Sequence, residues 1–152
     1  MITLDSELLD FVRSPVLLMV CAADSERRPA IGRAMGVRVD SAGGLDVLLS
    51  RWQWPEVVRN IGLSGRLALT ASRASDYVTY QLKGAARVRE AEHADIEAAR
   101  AYWRAVAEAL ARDHVPPHIA GQWSPDREMV AARLNVAEVY VQTPGPLAGT
   151  SL

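Results

Sequence analysis

The chain of 152 residues contains one cysteine, one phenylalanine and one lysine, and each scarcity removes a class of explanation. With Cys21 alone, neither an internal disulfide nor a multi-cysteine metal site can form, which suits a reducing compartment. Its place in the apolar run Val16-Leu17-Leu18-Met19-Val20-Cys21-Ala22-Ala23 marks the thiol as an inert core group. There is no excess charge of either sign: 17 basic against 18 acidic residues leave a formal −1, so no global field gathers nucleic acid or an anionic membrane. No apolar run approaches the ~20 residues that span a bilayer. The amino-terminal stretch Met1 to Glu7 is acidic where a secretory signal carries positive charge. The expectation is a soluble, cytoplasmic protein without nucleic-acid or membrane partners.

Several catalytic signatures are missing as well. No phosphate-cradling glycine loop, dinucleotide G-x-G-x-x-G or nucleophile elbow occurs, so hydrolase and nucleotide-triphosphatase readings fall away. His114 and His118 stand four apart, but Pro116 and Pro117 break the helix that would align them, and no third ligand follows at metal spacing. His93, between Glu92 and Asp95 at a helix start, reads as exposed. No metal site is expected.

The length fits one domain, residues 1–152. Asp5 or Ser6 can cap a short helix with Leu8, Leu9 and Val12 on its apolar face, ended at Ser14-Pro15. Residues 16–23 are too uniformly apolar for a strand with one wet face and read as central, buried on both sides. A strand Pro29 to Val39 follows, in which Arg33, Met35, Val37 and Val39 share one face and Ala34, Gly36 and Arg38 the other. Glycines at 32 and 36 remove side chains and let another backbone or a flat ligand approach. The turn Ser41-Ala42-Gly43-Gly44 makes a hairpin with the strand Leu45 to Arg51.

A short helix covers Trp54 to Ile61, and strands follow at Arg66–Ala71 and from Asp76 to Val88. From Asp95 to Asp113, Ile96, Ala99, Trp103, Val106 and Leu110 recur at helical spacing opposite a wet face of Glu97, Arg100, Arg104, Glu108 and Arg112. Ser124-Pro125-Asp126-Arg127-Glu128 has a capping serine, a proline at the first helical position and an acidic first turn, the marks of a second short helix. A last strand, Ala137 to Gln142, ends in a Pro/Gly tail.

One local arrangement points to an anion. Ser50-Arg51 ends a strand just before a helix start, so a hydroxyl, a guanidinium fork and free helix N–H groups can converge on one phosphate. The alternative is a strand-end serine beside a solvated arginine. Trp52 and Trp54 can stack on a flat ligand, line a subunit interface, or simply pack. Thr79, Gln81 and Lys83 share a face of their strand, where Lys83 is either an anion contact or a solvated edge lysine.

The order of elements from Pro29 to Glu90, with arginines where strands end, resembles the FMN-binding split barrel of the pyridoxamine 5′-phosphate oxidase family. The resemblance covers about two thirds of the chain and implies a mainly β fold, a six-stranded antiparallel split barrel with peripheral helices. It further implies a homodimer that binds FMN in a groove between subunits and acts on a small-molecule substrate. In that family the strand matched by Arg33, Ala34, Met35, Gly36 and Arg38 lies along the flavin, its backbone meets the ring's polar edge, and its basic residues reach the phosphate. The partner's polar strand, here Thr79, Gln81 and Lys83, completes the groove. Ser50, Arg51, Trp52 and Trp54 complete the expected cofactor set. The chain departs from the family at Trp54-Pro55-Glu56, where true oxidases place a serine and basic residues that grip the phosphate. A glutamate there repels a phosphate unless an arginine intervenes. No catalytic acid or base is evident. The rival expectations are a deazaflavin- or haem-binding split barrel and a cofactor-free binding module.

Overall fold

The computed structural model describes residues 4–40, 44–112, 114–121 and 126–152. Seven strands form one antiparallel sheet: β1 (Leu17–Ala23), β2 (Pro29–Arg33), β3 (Val37–Val39), β4 (Leu45–Ser50), β5 (Arg66–Ser72), β6 (Thr79–Glu90) and β7 (Met129–Val141), in the order β2-β1-β5-β6-β7-β4-β3. Four helices accompany them: α1 (Ser6–Arg13), α2 (Pro55–Ser64), α3 (His93–Arg112) and α4 (Pro117–Gly121).

The strand count of seven, where six were expected, arises because the continuous strand read over Pro29 to Val39 is broken. Its halves lie at opposite ends of the sheet, β2 against β1 and β3 against β4. Between them the Ala34 amide donates to the Leu18 carbonyl at 3.0 Å and the Met35 amide to that of Leu48 at 2.7 Å, while Gly36 O accepts from Leu48 N at 3.0 Å. One short segment thus bonds both ends of the sheet and curls it into a half-barrel. Gly36, at φ 125°, supplies the left-handed step of this crossing. The break also ends the expected alternation, since Ala34 and Met35, which alternation would send to opposite faces, are both buried.

The core is the barrel interior: Val20, Val47, Leu49, Leu69, Leu82 and Leu134 are fully or almost fully buried and belong to one cluster. β1 alternates between buried and open positions, and Met19 keeps 46 % of its surface exposed, so β1 is not buried on both sides. Its side chains alternate because Leu18, Val20 and Ala22 enter the core, while Met19 and Cys21 lie on the opposite face of the sheet. Cys21 is correspondingly half-buried on that outer side and is not a core thiol.

Local signals hold elsewhere. The Asp5 carboxylate caps α1 by accepting Leu8 N–H at 2.7 Å. Gly65, at φ 64°, ends α2 with its N–H on Ile61 O. α3 presents Glu97, Arg100, Arg104, Glu108 and Arg112 to solvent, as its periodicity requires. The β3–β4 hairpin has Val37 opposite Val47 and Val39 opposite Leu45; its turn at 41–43 lies outside the described residues. Ser124 and Pro125, the expected start of a short helix, also lie outside them, and Arg127 and Glu128 form a bend that feeds β7 directly. β7 therefore begins eight residues before the expected last strand, and pairs with β4 through Met129–Leu134 and with β6 along its length. A bulge interrupts the β6–β7 ladder between Lys83 and Gly84, where a Cβ on Gly84 would collide with the Asn135 carbonyl. The Pro/Gly tail returns to its own strand, with Leu152 N–H on Val139 O at 3.0 Å and Val141 N–H on Thr150 O at 2.9 Å. Among the described residues no helix is long and apolar enough to cross a membrane.

Candidate functional site

The residues expected to hold a cofactor fall into three groups. The first is the crossing segment and β3. The gaps left by Gly32 and Gly36 are filled from within the chain: a Cβ on Gly32 would lie 2.7 Å from Trp54 Cγ, and one on Gly36 3.1 Å from Tyr102 Cβ. Met35 is buried with Leu48, Ala99 and Met129, and Ala34 belongs to the main core. The Tyr102 hydroxyl donates to Val16 O at 2.5 Å and fixes α3 across this strand; burial pushes its pKa up.

Arg38 enters an ion network that the sequence does not announce. Its Nη1 lies 2.5 Å from Asp95 Oδ1, and Arg89 Nη1 lies 2.5 Å from the other carboxylate oxygen. Arg89 Nη2 continues to Asp46 at 3.0 Å, Arg133 Nε reaches Asp46 at 3.3 Å, and Arg133 also pairs with Asp40. Asp95 is fully buried beneath the start of α3. Burial alone would raise its pKa, but the Arg89 guanidinium, the Glu92 N–H and Arg38 together outweigh that and bring it down to about 2. The same carboxylates push Arg89 further up. Asp95 reads in sequence only as a helix-start acid, and its partner Arg38 is 57 residues away, so periodicity carries no signal for the pair.

The second group is the corner between β4 and α2. The Ser50 hydroxyl is fully buried, donating its one proton to Arg127 O at 2.8 Å and accepting from Gln53 N at 3.2 Å, so it has no proton left for a phosphate. Arg51 differs: its Nη2 meets Glu90 at 2.5 Å, while its buried Nε has no partner among the described residues. Trp52 exposes 50 % of its surface and carries the Arg127 guanidinium 4.9 Å from its ring centroid. Trp54 packs against the core with Nε1 buried and unpartnered among the described residues. α2 starts without a side-chain cap, and Glu56 sits exposed in its first turn, 4.0 Å from Arg59.

The third group lies on the outer face of the sheet. Register places Arg33, Met19, Thr70, Gln81 and Tyr140 in one row across β2, β1, β5, β6 and β7. Gln81 Nε2 donates to Thr70 Oγ1 at 3.1 Å, Thr79 shares a 2.8 Å hydrogen bond with Ser72, and the Lys83 ammonium rests 4.7 Å from the Tyr140 ring centroid. Met19 and Ile31, the latter 59 % exposed, are apolar and open on the same face.

Structure comparison places this geometry among known proteins. A putative pyridoxamine 5′-phosphate oxidase from Lactobacillus delbrueckii superposes with a TM-score of 0.54 at 16 % identity, over 91 % of this chain and 94 % of that one. The chain has the split-barrel fold of the pyridoxamine 5′-phosphate oxidase type. HupZ of Group A Streptococcus shares this split barrel, with a TM-score of 0.58 at 16 % identity over 97 % of this chain and 100 % of that one. HutZ, the haem storage protein of Vibrio cholerae, does so with a TM-score of 0.52 at 16 % identity, over 92 % and 95 %. By sequence, no family model and no curated protein matches the chain.

Against FMN the split barrel's residues fit in part. Arg51, with an unpartnered buried donor, and the open Trp52 face suit a phosphate and a flat ring. Ser50 and Arg38 are already satisfied inside the chain, and Met35 and Gly36 are covered by α3. Among the described residues, the cavity at Lys83 and the one at Met35 are separate. His93 and His118 are exposed on helices and His114 on the turn after α3, so none stands on a strand, and no metal-holding group occurs among the described residues.

Proposed function

We propose that this split barrel is an FMN-dependent oxidoreductase that works as a homodimer, with the flavin phosphate held at the β4–α2 corner and not on Arg38. The observation that carries this reading is Arg51. Its Nε is a buried donor without a partner among the described residues, and its Nη2 rests on Glu90, whose side chain is 78 % exposed. An exposed pair of this kind is worth about 0–1 kcal/mol, so a phosphate dianion can displace it. Trp52 offers a flat apolar face beside it and Arg127 a second guanidinium. When bound, the flavin supplies the electron and hydride chemistry, and the chain supplies binding and charge. The exposed Met19 and Ile31, flanked by Thr70 and Gln81, support a second copy on the outer sheet face.

The decisive experiment is a titration of purified protein with FMN, riboflavin and haemin, followed by visible absorbance with parallel sedimentation. FMN should bind to a dimer, and Arg51→Ala should weaken it by about 1.5–3 kcal/mol, the range for hydrogen bonds to charged groups. Riboflavin should be indifferent to the change. Equal losses for both ligands would remove the phosphate from this corner. Binding of haemin alone would make the protein a haem-binding split barrel, and binding of neither a cofactor-free module.

A further inference from the structure

The end of the outer sheet face nearest the β1–β2 turn holds a feature that the flavin reading does not use. A cavity of about 350 Å³ is lined by Cys21 at the end of β1, Asp24 and Arg27 in the following turn, Arg66 at the start of β5, and Lys83 and Gly84 on β6. Three cations from three separate elements meet one carboxylate there, a local +2 in a chain whose total is −1.

Of the three, only Arg66 has an acidic partner among the described residues, a surface contact with Glu138. Asp24 is committed to its own turn, accepting the N–H groups of Glu26 and Arg28 and the Arg28 Nε, each at 2.9 Å. Arg66 approaches Glu138 only to 3.9 Å, with the arginine well exposed. Lys83 leans on the Tyr140 ring, a contact that leaves its N–H donors available. Arg27 stands at φ 64°, a conformation that L residues seldom adopt, and no side-chain partner for it occurs among the described residues. The bulge at Lys83/Gly84 is an independent observation: bulges re-aim side chains at the edges of sites, and this one requires glycine at a wall of the cavity.

We propose that this cavity binds a small metabolite carrying a phosphate group, with Arg27, Arg66 and Lys83 on the phosphate and the Cys21 thiol at its edge. A phosphate monoester carries close to two negative charges at neutral pH, which matches the lining, whereas one carboxylate leaves a cation unpaired. Two guanidinium forks suit its oxygens, and the alanines and Leu67 of the wall accommodate a short carbon body. The whole lining comes from one chain.

Cys21 is the only thiol in the chain and therefore a unique reporter. Its thiolate attacks a disulfide reagent, forms a mixed disulfide and releases one thiolate that is read by absorbance. The native full-length protein is treated with the dianionic dithionitrobenzoate and with a neutral dipyridyl disulfide, each rate normalised to the urea-unfolded chain. The dianionic reagent should gain about tenfold over the neutral one, the low end of electrostatic enhancement, and lose that gain in high salt. Glycerol 2-phosphate should slow both reagents, where oxalate at equal ionic strength does not. Arg27→Gln combined with Lys83→Gln should erase the discrimination while the neutral rate is kept, and Arg27→Lys should retain it. Equal normalised rates, a missing effect of the phosphate ester, or a Cys21 unreactive to both reagents in the native protein would each overturn the proposal.

Discussion

Replacing Asp95 with asparagine tests whether the ion network holds α3 to the barrel. The carboxylate is 0 % exposed and is gripped by Arg38 and Arg89, whose side chains are 37 % and 35 % exposed. Its pKa falls from 3.8 in an unfolded chain to about 2. At 1.36 kcal/mol per tenfold change in proton affinity, that lowering makes the ionised carboxylate worth about 2 kcal/mol to the folded state. Because the folded value lies below the unfolded one, the contribution is complete above about pH 4 and disappears as pH falls through 2. Asp95→Asn should therefore lower stability by about 2 kcal/mol at pH 7, or about 4–8 °C in Tm for a chain of this size. The partial exposure of both arginines keeps the loss below the 3–5 kcal/mol typical of breaking a fully buried pair. Urea denaturation of wild type and variant from pH 7 down to pH 2 should show two curves that converge toward the acid end. Parallel profiles, or equal midpoints at pH 7, would mean that α3 is held by packing alone.

The remaining expectations concern the seams of the barrel. Tyr102→Phe leaves Val16 O without its 2.5 Å donor and should cost about 1–2 kcal/mol in urea unfolding, with the far-ultraviolet dichroism of the native state unchanged. Gly84→Ala drives a Cβ into the Asn135 carbonyl and should cost about 1–3 kcal/mol, the scale of overpacking; a neutral result would show that the bulge relaxes freely.

Much of the architecture was legible because its signals are local. Capping at Asp5, the period of α3 and the hairpin at Gly44 depend on neighbours within a few positions, and the structure keeps all three. The split between β2 and β3 was not legible, since Arg33 to Val39 contains no proline, and its one glycine, Gly36, suits a flat strand as well as a crossing. The early start of β7 was hidden by a stronger local pattern, the helix-start marks at Ser124 to Glu128. The resemblance to the split-barrel family supplied the closure that periodicity could not. At the candidate site the sequence identified Arg51 and Trp52, which stay available, but also Arg38, whose charge is spent on Asp95. Ion pairs formed across 57 positions are decided by tertiary packing, and no spacing rule anticipates them.

The crossing at Ala34 to Gly36 has a mechanical consequence. A sheet joined to itself only by hydrogen bonds can unzip along its seam and expose two long edges. Here the seam is spanned by the covalent chain, so pulling β2 from β1 strains the bonds to β4 in the same motion. The strands left at the open ends are short, three residues in β3 and five in β2, and β2 opens with a proline. Neither end offers the long flat edge on which another chain could build a ladder. The barrel behaves as a hoop whose clasp is part of the band.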